Sequence, residues 1–115
     1  MTIGDIQTLL GAEVLSGEDL LGQPVLSACG SDMMSDVLAF VKEQSVLLTG
    51  LVNPQVIRTA EMMDMRCVVF VRGKKPDGAM LTLAKAHDIA VLQTPLRLYT
   101  ACGRLYAAGL KGEDG

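Results

Sequence analysis

The side chains best suited to chemistry stand in short polar stretches that follow apolar runs. Ser31-Asp32-Met33-Met34-Ser35-Asp36 sets hydroxyls and carboxylates where a helix begins. Free N–H groups there can receive an anion, and a carboxylate such as Asp32 can meet a ribose-like hydroxyl. Capping of that helix by Ser31 or Asp32 explains the same residues without a ligand. Gly73-Lys74-Lys75-Pro76-Asp77-Gly78 brings flexible backbone and two cations ahead of another helix, as a phosphate site does. It departs from the P-loop pattern GxxxxGK[ST], and a solvated loop is its simpler reading. His87 is the single histidine and falls near a helix C-terminus, where partial negative charge favours imidazolium. A structural role is its simpler reading, because no Ser or Cys stands at a spacing that would make it a partnered nucleophile.

Complete catalytic signatures are missing: there is no GxSxG elbow, HExxH, CxxC, GxGxxG or EF-hand loop. The expectation is a non-enzyme with no catalytic residues, no cofactor and no metal site. A small hydrolase or transferase built on Asp32, Asp36 or His87 ranks last, since no nucleophile and base are paired by a recognisable spacing. A net charge of −3 and a pI near 5.0, with Lys74-Lys75 the only adjacent basic pair, argue against nucleic acid. Cys29, Cys67 and Cys102 are odd in number, far apart and set in apolar stretches, the pattern of reduced, buried thiols in a cytoplasmic protein. The opening Met1-Thr2-Ile3-Gly4-Asp5 has no basic n-region and the longest apolar runs are strand-sized, so neither secretion nor membrane insertion is expected.

The elements that position these residues follow from apolar periodicity. At 115 residues the chain fits one domain, with 50% hydrophobic residues but 3% aromatic, so its core must be aliphatic. Thr2 and Asp5 mark a helix start and Ile3, Ile6, Leu9 and Leu10 its buried face, over residues 3 to 10. Glu13 to Ser16 reads as a brief extended piece and Val25 to Cys29 as a strand ending at Gly30. Met34, Val37, Leu38 and Val41 then form one helical stripe, with Ser35, Asp36, Lys42 and Glu43 off it. Strand and helix repeat: Val46 to Thr49; Asn53-Pro54 opening a helix with Val56, Ile57, Ala60 and Met63; and Cys67 to Val71. A helix with Met80, Leu83, Ala84 and His87 aligned follows, then the strand Ile89 to Leu92. Thr94-Pro95 is read as the start of a last helix, with Leu98, Ala101, Cys102 and Leu105 facing inward. This alternation predicts an α/β fold: a mostly parallel sheet of four to five strands covered by helices through right-handed βαβ crossovers. Residues 1–110 form the expected domain and 111–115 a flexible tail.

Three stretches, Leu10-Gly11-Ala12-Glu13-Val14-Leu15-Ser16-Gly17, Ala28-Cys29-Gly30-Ser31-Asp32-Met33-Met34-Ser35-Asp36-Val37-Leu38 and Ile89-Ala90-Val91-Leu92-Gln93-Thr94-Pro95, resemble a DRTGG domain over nearly the whole chain. Such domains are similar to the N-terminal domain of bacterial HPr kinase/phosphorylase and occur beside CBS pairs, on phosphotransacetylases or alone. The resemblance implies an accessory or regulatory module and no kinase activity, because the catalytic P-loop of that kinase belongs to a separate domain. Where the family carries Gly-Asp-Arg after the middle strand this chain has Gly50-Leu51-Val52-Asn53, and Gly73 answers to the later glycine pair.

In α/β sheets ligands bind outside the carboxyl ends of the strands. The expected function is therefore a stand-alone, non-catalytic regulatory module that takes a small anionic metabolite or nucleotide there. Its candidate contacts are Ser31, Asp32, Ser35, Asn53, Lys74 and Thr94. The alternative is a purely structural interaction module. A homodimer is expected in either case, since a mean hydropathy of +0.35 in so small a chain leaves apolar surface to cover, with Met33, Met62, Met65, Tyr99 and Tyr106 off or at the edge of the core stripes.

Overall fold

A computed structural model describes residues 1–41 and 44–112. Lys42 and Glu43, which the helical pattern places on an outer face, and residues 113–115 of the expected tail lie outside the described residues. The elements are α1 (Ile3–Leu10), β1 (Glu13–Ser16), a 3₁₀ turn (Glu18–Leu20), β2 (Ser27–Gly30), α2 (Met34–Phe40), β3 (Ser45–Thr49), α3 (Pro54–Met62), β4 (Cys67–Phe70), α4 (Gly78–Ala86), β5 (Ala90–Gln93) and α5 (Leu98–Ala107). They build one five-stranded sheet in the order β1-β5-β4-β3-β2. Strands β2 to β5 are mutually parallel, and β1 pairs antiparallel on the edge of β5. The α/β, mostly parallel architecture read from the sequence is the one observed.

Parallel strands covered on both faces must be apolar on both sides. Accordingly Val46, Leu47 and Leu48 of β3 and Cys67 to Phe70 of β4 are fully buried. Alternate side chains feed two cores. Val46, Leu48, Cys67, Val69 and Leu92 pack against α1 and α5 through Ile3, Ile6, Leu10, Ala101 and Leu105. Leu47, Val68, Phe70 and Val91 pack against α2, α3 and α4 through Val37, Val56, Ile57, Ala60, Met80 and Ala84. Burying each such Val, Leu or Ile contributes about 1.5–3 kcal/mol, so the sheet centre is the most firmly held part of the molecule.

Local chemistry departs from the sequence pattern at several places. The N-cap of α2 is Met33, with no side-chain cap, because Ser31 closes its own turn by accepting from Met33 N at 3.0 Å and Asp32 turns toward β3. That helix ends at Phe40, and Leu38, expected on its buried stripe, is 39% exposed. Val25 and Leu26 precede β2 outside the ladder, their amides donating to Met1 O and Gln44 O. Thr94-Pro95 mimics a cap followed by a first helical proline, yet α5 starts at Leu98 after Arg97. Thr94 instead continues the β5 edge, its amide donating to Phe70 O at 3.0 Å. Met65 belongs to the core at 1% exposure, whereas Met33, Met62, Tyr99 and Tyr106 stand out in solvent. Cys67 is buried, while Cys29 and Cys102 are only partly so, and none is in a disulfide. At the chain end Lys111 O accepts from Ala28 N at 2.9 Å, laying residue 111 beside the free edge of β2. Among the described residues no helix is long and apolar enough to cross a membrane.

Candidate functional site

The carboxyl ends of β2, β3, β4 and β5 face the same end of the sheet, so the loops that follow them share one rim. At its centre the buried Thr49 hydroxyl donates to Asp32 Oδ1 at 2.9 Å, and Gly50 N donates to the same oxygen at 2.7 Å. Leu51 N donates back to Thr49 Oγ1 at 3.1 Å. An ionised carboxylate makes strong bonds of this kind, so Asp32 ties the turn after β2 to the turn after β3. It does so while exposed itself.

Directly over this junction lies Arg72, the second residue after β4. Its backbone is left-handed, with φ of 57°, and is fixed by its amide donating to Leu96 O at 2.8 Å and by Gly73 N donating to Thr94 O at 2.9 Å. The guanidinium crosses the bare Cα of Gly50: a Cβ on Gly50 would sit 2.5 Å from Arg72 Nη2 and 3.1 Å from Nε. A side chain at position 50 would displace it. Among the described residues the Arg72 side chain makes no ion pair or hydrogen bond. A planar fork of donors held on a glycine floor is suited to a phosphate or carboxylate, and the Asp32 carboxylate, bound to the Gly50 amide, can accept from a hydroxyl.

The residues singled out from sequence are distributed unevenly around this centre. Asp32 belongs to it. Ser31 is one residue away, engaged in its own turn, and Ser35 is exposed on the first turn of α2. Asn53 caps α3, accepting from Gln55 N at 2.8 Å. Lys74 is exposed in the loop after Arg72. Thr94 is fully buried, and its hydroxyl donates to Leu10 O at 2.9 Å, so it holds the end of α1 and faces away from solvent. Arg72 and Gly50 lie in the post-strand stretches 72–75 and 50–53 but, like Thr49, are not among the expected contacts: phosphate loops commonly use lysine, whereas here a single arginine stands directly after an all-apolar strand in Val71-Arg72-Gly73.

The remaining reactive groups are quiet. His87 is the C-cap of α4 and lies 3.5 Å from Glu61 Oε1, bridging α3 and α4 away from the rim. Burial pushes the Cys67 thiol up to about 12, and desolvation raises Cys102 as well, so neither supplies thiolate near neutral pH. Among the described residues no group of His, Cys, Asp or Glu is placed to hold a metal ion.

A family model for the DRTGG domain matches residues 5–108. The chain belongs to the DRTGG domain family. No curated protein matches it as a relative. Among solved structures, this DRTGG domain is similar to the CBS and DRTGG domains of the regulatory region of Clostridium perfringens pyrophosphatase, crystallised in complex with its activator, diadenosine tetraphosphate. The TM-score is 0.75 at 20% identity, over 90% of this chain and 45% of that one. The likeness is one of fold, and the DRTGG domain described here spans less than half the length of that neighbour.

Proposed function

We propose that this DRTGG domain is a non-catalytic regulatory module of the cytoplasm that takes a small anionic metabolite or nucleotide at the carboxyl ends of its strands. The observation that supports the reading is the Arg72 guanidinium, seated on Gly50 beside Asp32 with no partner among the described residues. Arg72 replaces Thr94 in the candidate set, and Lys74 adds a second cation on the same loop. That the similar pyrophosphatase region carries a nucleotide activator adds weight to a nucleotide as the ligand class. A thermal-shift panel of nucleotides, diadenosine tetraphosphate included, and phosphorylated metabolites tests it. A true ligand at 100 times its Kd adds about 2.7 kcal/mol, and Arg72→Ala removes that gain while leaving the ligand-free melting point unchanged. Flat curves across the panel defeat the reading.

A second reading concerns self-association and rests on the outer face of α5. Tyr99 is 90% exposed and forms one wall of a shallow hollow of about 620 Å³ that extends over Gly103 to Cys102, Tyr106 and Ala107. A projecting ring and a hollow on one helix are self-complementary about a two-fold axis, the geometry of an isologous dimer. Light scattering at tens of micromolar is expected to give twice the 12.2 kDa chain mass, reverting to that mass for Tyr99→Glu. A monomeric wild type excludes it.

A further inference from the structure

The sheet has two edges, and only one carries its own protection. An open strand edge is a template for a strand of another molecule unless a bulge, a charge or a cover blocks it. At β1 the register shifts between Val14 and Ser16, and Glu13 opens the strand with a charge. β2 has neither device. Its residues, Ser27-Ala28-Cys29-Gly30, are small and uncharged and pair with β3 in unbroken register. We propose that residues 110–112 are a removable guard on this edge, and that lifting them opens β2 to the β2 of a second copy of the chain.

The guard follows from how α5 ends. Gly109, with φ of 105°, turns the chain back after the helix, its amide donating to Tyr106 O and the next, Leu110 N, to Leu105 O, both at 3.0 Å. The turn drops Leu110 into the core at 4% exposure and carries the chain onto β2. There Ala28 N donates to Lys111 O at 2.9 Å, and Gly112 passes so near that a Cβ on it would lie 3.5 Å from Ala28 O. The Lys111 ammonium sits 3.8 Å from the centre of the Tyr106 ring and donates to Tyr106 O at 3.4 Å. This clasp fastens the residue whose carbonyl closes the edge. One backbone bond and one surface clasp can be undone without opening the core, because the buried anchor is Leu110 and not Lys111.

The edge beneath the guard is self-complementary. Ser31 N donates inward to Leu48 O while Ala28 N faces out, so the strand's alternation places the amide and carbonyl of Gly30 on the outer edge with those of Ala28. Two β2 strands set antiparallel about a two-fold axis at Cys29 therefore match: Ala28 of each copy exchanges both its bonds with Gly30 of the other.

Amide exchange and light scattering, on the full chain and on one lacking residues 111–115, test the proposal. In the full chain the Ala28 amide should exchange at least about tenfold more slowly than an unprotected one, and faster in Lys111→Ala than in wild type. For scattering, both chains carry Tyr99→Glu, so that association through α5 does not contribute. At tens of micromolar the shortened chain should have twice the mass of the full one. Ala28→Pro in the shortened chain should restore the single mass, since proline removes the outward donor and is tolerated on an edge. An Ala28 amide that exchanges freely in the full chain, a shortened chain at the mass of the full one, or a doubling that survives Ala28→Pro overturns the proposal. So does loss of the folded circular dichroism in the shortened chain, because a removable guard supports none of the core.

Discussion

The two ends of the sheet satisfy their polar groups in different ways. At the carboxyl ends of the parallel strands four polar side chains are committed to backbone: Asp32 to Gly50 N, Thr49 to Leu51 N, Asn53 to Gln55 N and Thr94 to Leu10 O. Arg72 is left lying over the junction, with Lys74 exposed on the same loop. At the other end the backbone is closely packed and the side chains are not, so Gly17 touches Ala90 while Glu18, Asp19, Lys85 and Asp88 line an open cleft of about 720 Å³ with no ion pair among the described residues. A rim built from saturated turns can present a ligand group on a rigid floor. A corner walled by packed backbone holds its shape without side-chain bonds and leaves its charges to solvent.

Alanine at the two glycines separates these modes most sharply. Gly17 has a φ of 88° and faces the backbone of Ala90, which cannot yield, so Gly17→Ala is expected to destabilise by about 3 kcal/mol in urea denaturation. A loss under about 1 kcal/mol would mean that the β1 corner can move and that the cleft is not rigid. The next largest effect belongs to the rim. Thr94→Val keeps the shape but leaves Leu10 O and Leu96 N without the hydroxyl, and should cost roughly 1–3 kcal/mol. Unchanged stability would show that the rim is not held by its side-chain-to-backbone bonds.

Legibility in the sequence followed the range of the interaction. Periodicity located every helix and strand, because a stripe such as Ile3, Ile6 and Leu10 or an apolar run such as Cys67 to Phe70 is fixed by burial on one or both sides. Ends governed by a short polar motif were less secure: Thr94-Pro95 has the form of a helix start, but its hydroxyl is taken by a carbonyl 84 positions away. The site was half visible. Asp32 stood out by type, whereas the seat of Arg72 on Gly50 depends on β3 and β4 being neighbours in register, Thr49 beside Phe70. The buried Ser16 hydroxyl, without a hydrogen-bond partner among the described residues, was wholly hidden, since it follows a register shift between Val14 and Ser16.

Gly50→Ala tests the rim from the other side. Only the mobile end of Arg72 must give way, so stability should change by less than about 0.5 kcal/mol, while the guanidinium is driven off its floor. Anion-dependent thermal shifts should then fall as they do in Arg72→Ala. A large stability loss would place Arg72 among the structural supports of the rim and remove it as a free cation.

The smallest expected effect lies at the start of α1, beside the 3₁₀ turn that walls the cleft: Gly4 N donates to Leu21 O at 2.8 Å. Asp5 accepts from Thr2 N at 2.9 Å while Thr2 Oγ1 accepts from Asp5 N at 3.1 Å, a reciprocal cap. The Thr2 amide, and after it the Thr2 hydroxyl, hold the Asp5 carboxyl below its ordinary value of 3.8. A carboxyl whose folded value is depressed adds stability that is complete above its unfolded value. That stability is lost as the pH falls through the lower, folded one. The stability difference between wild type and Asp5→Asn should therefore be constant near neutral pH and close on acidification below about pH 4. Because the carboxylate is fully exposed, added salt should shrink the difference as well. Urea midpoints measured across that range decide it. A gap that persists at low pH would mean that Asp5 acts through geometry rather than charge, and that the 3₁₀ turn owes nothing to the ionised cap beside it.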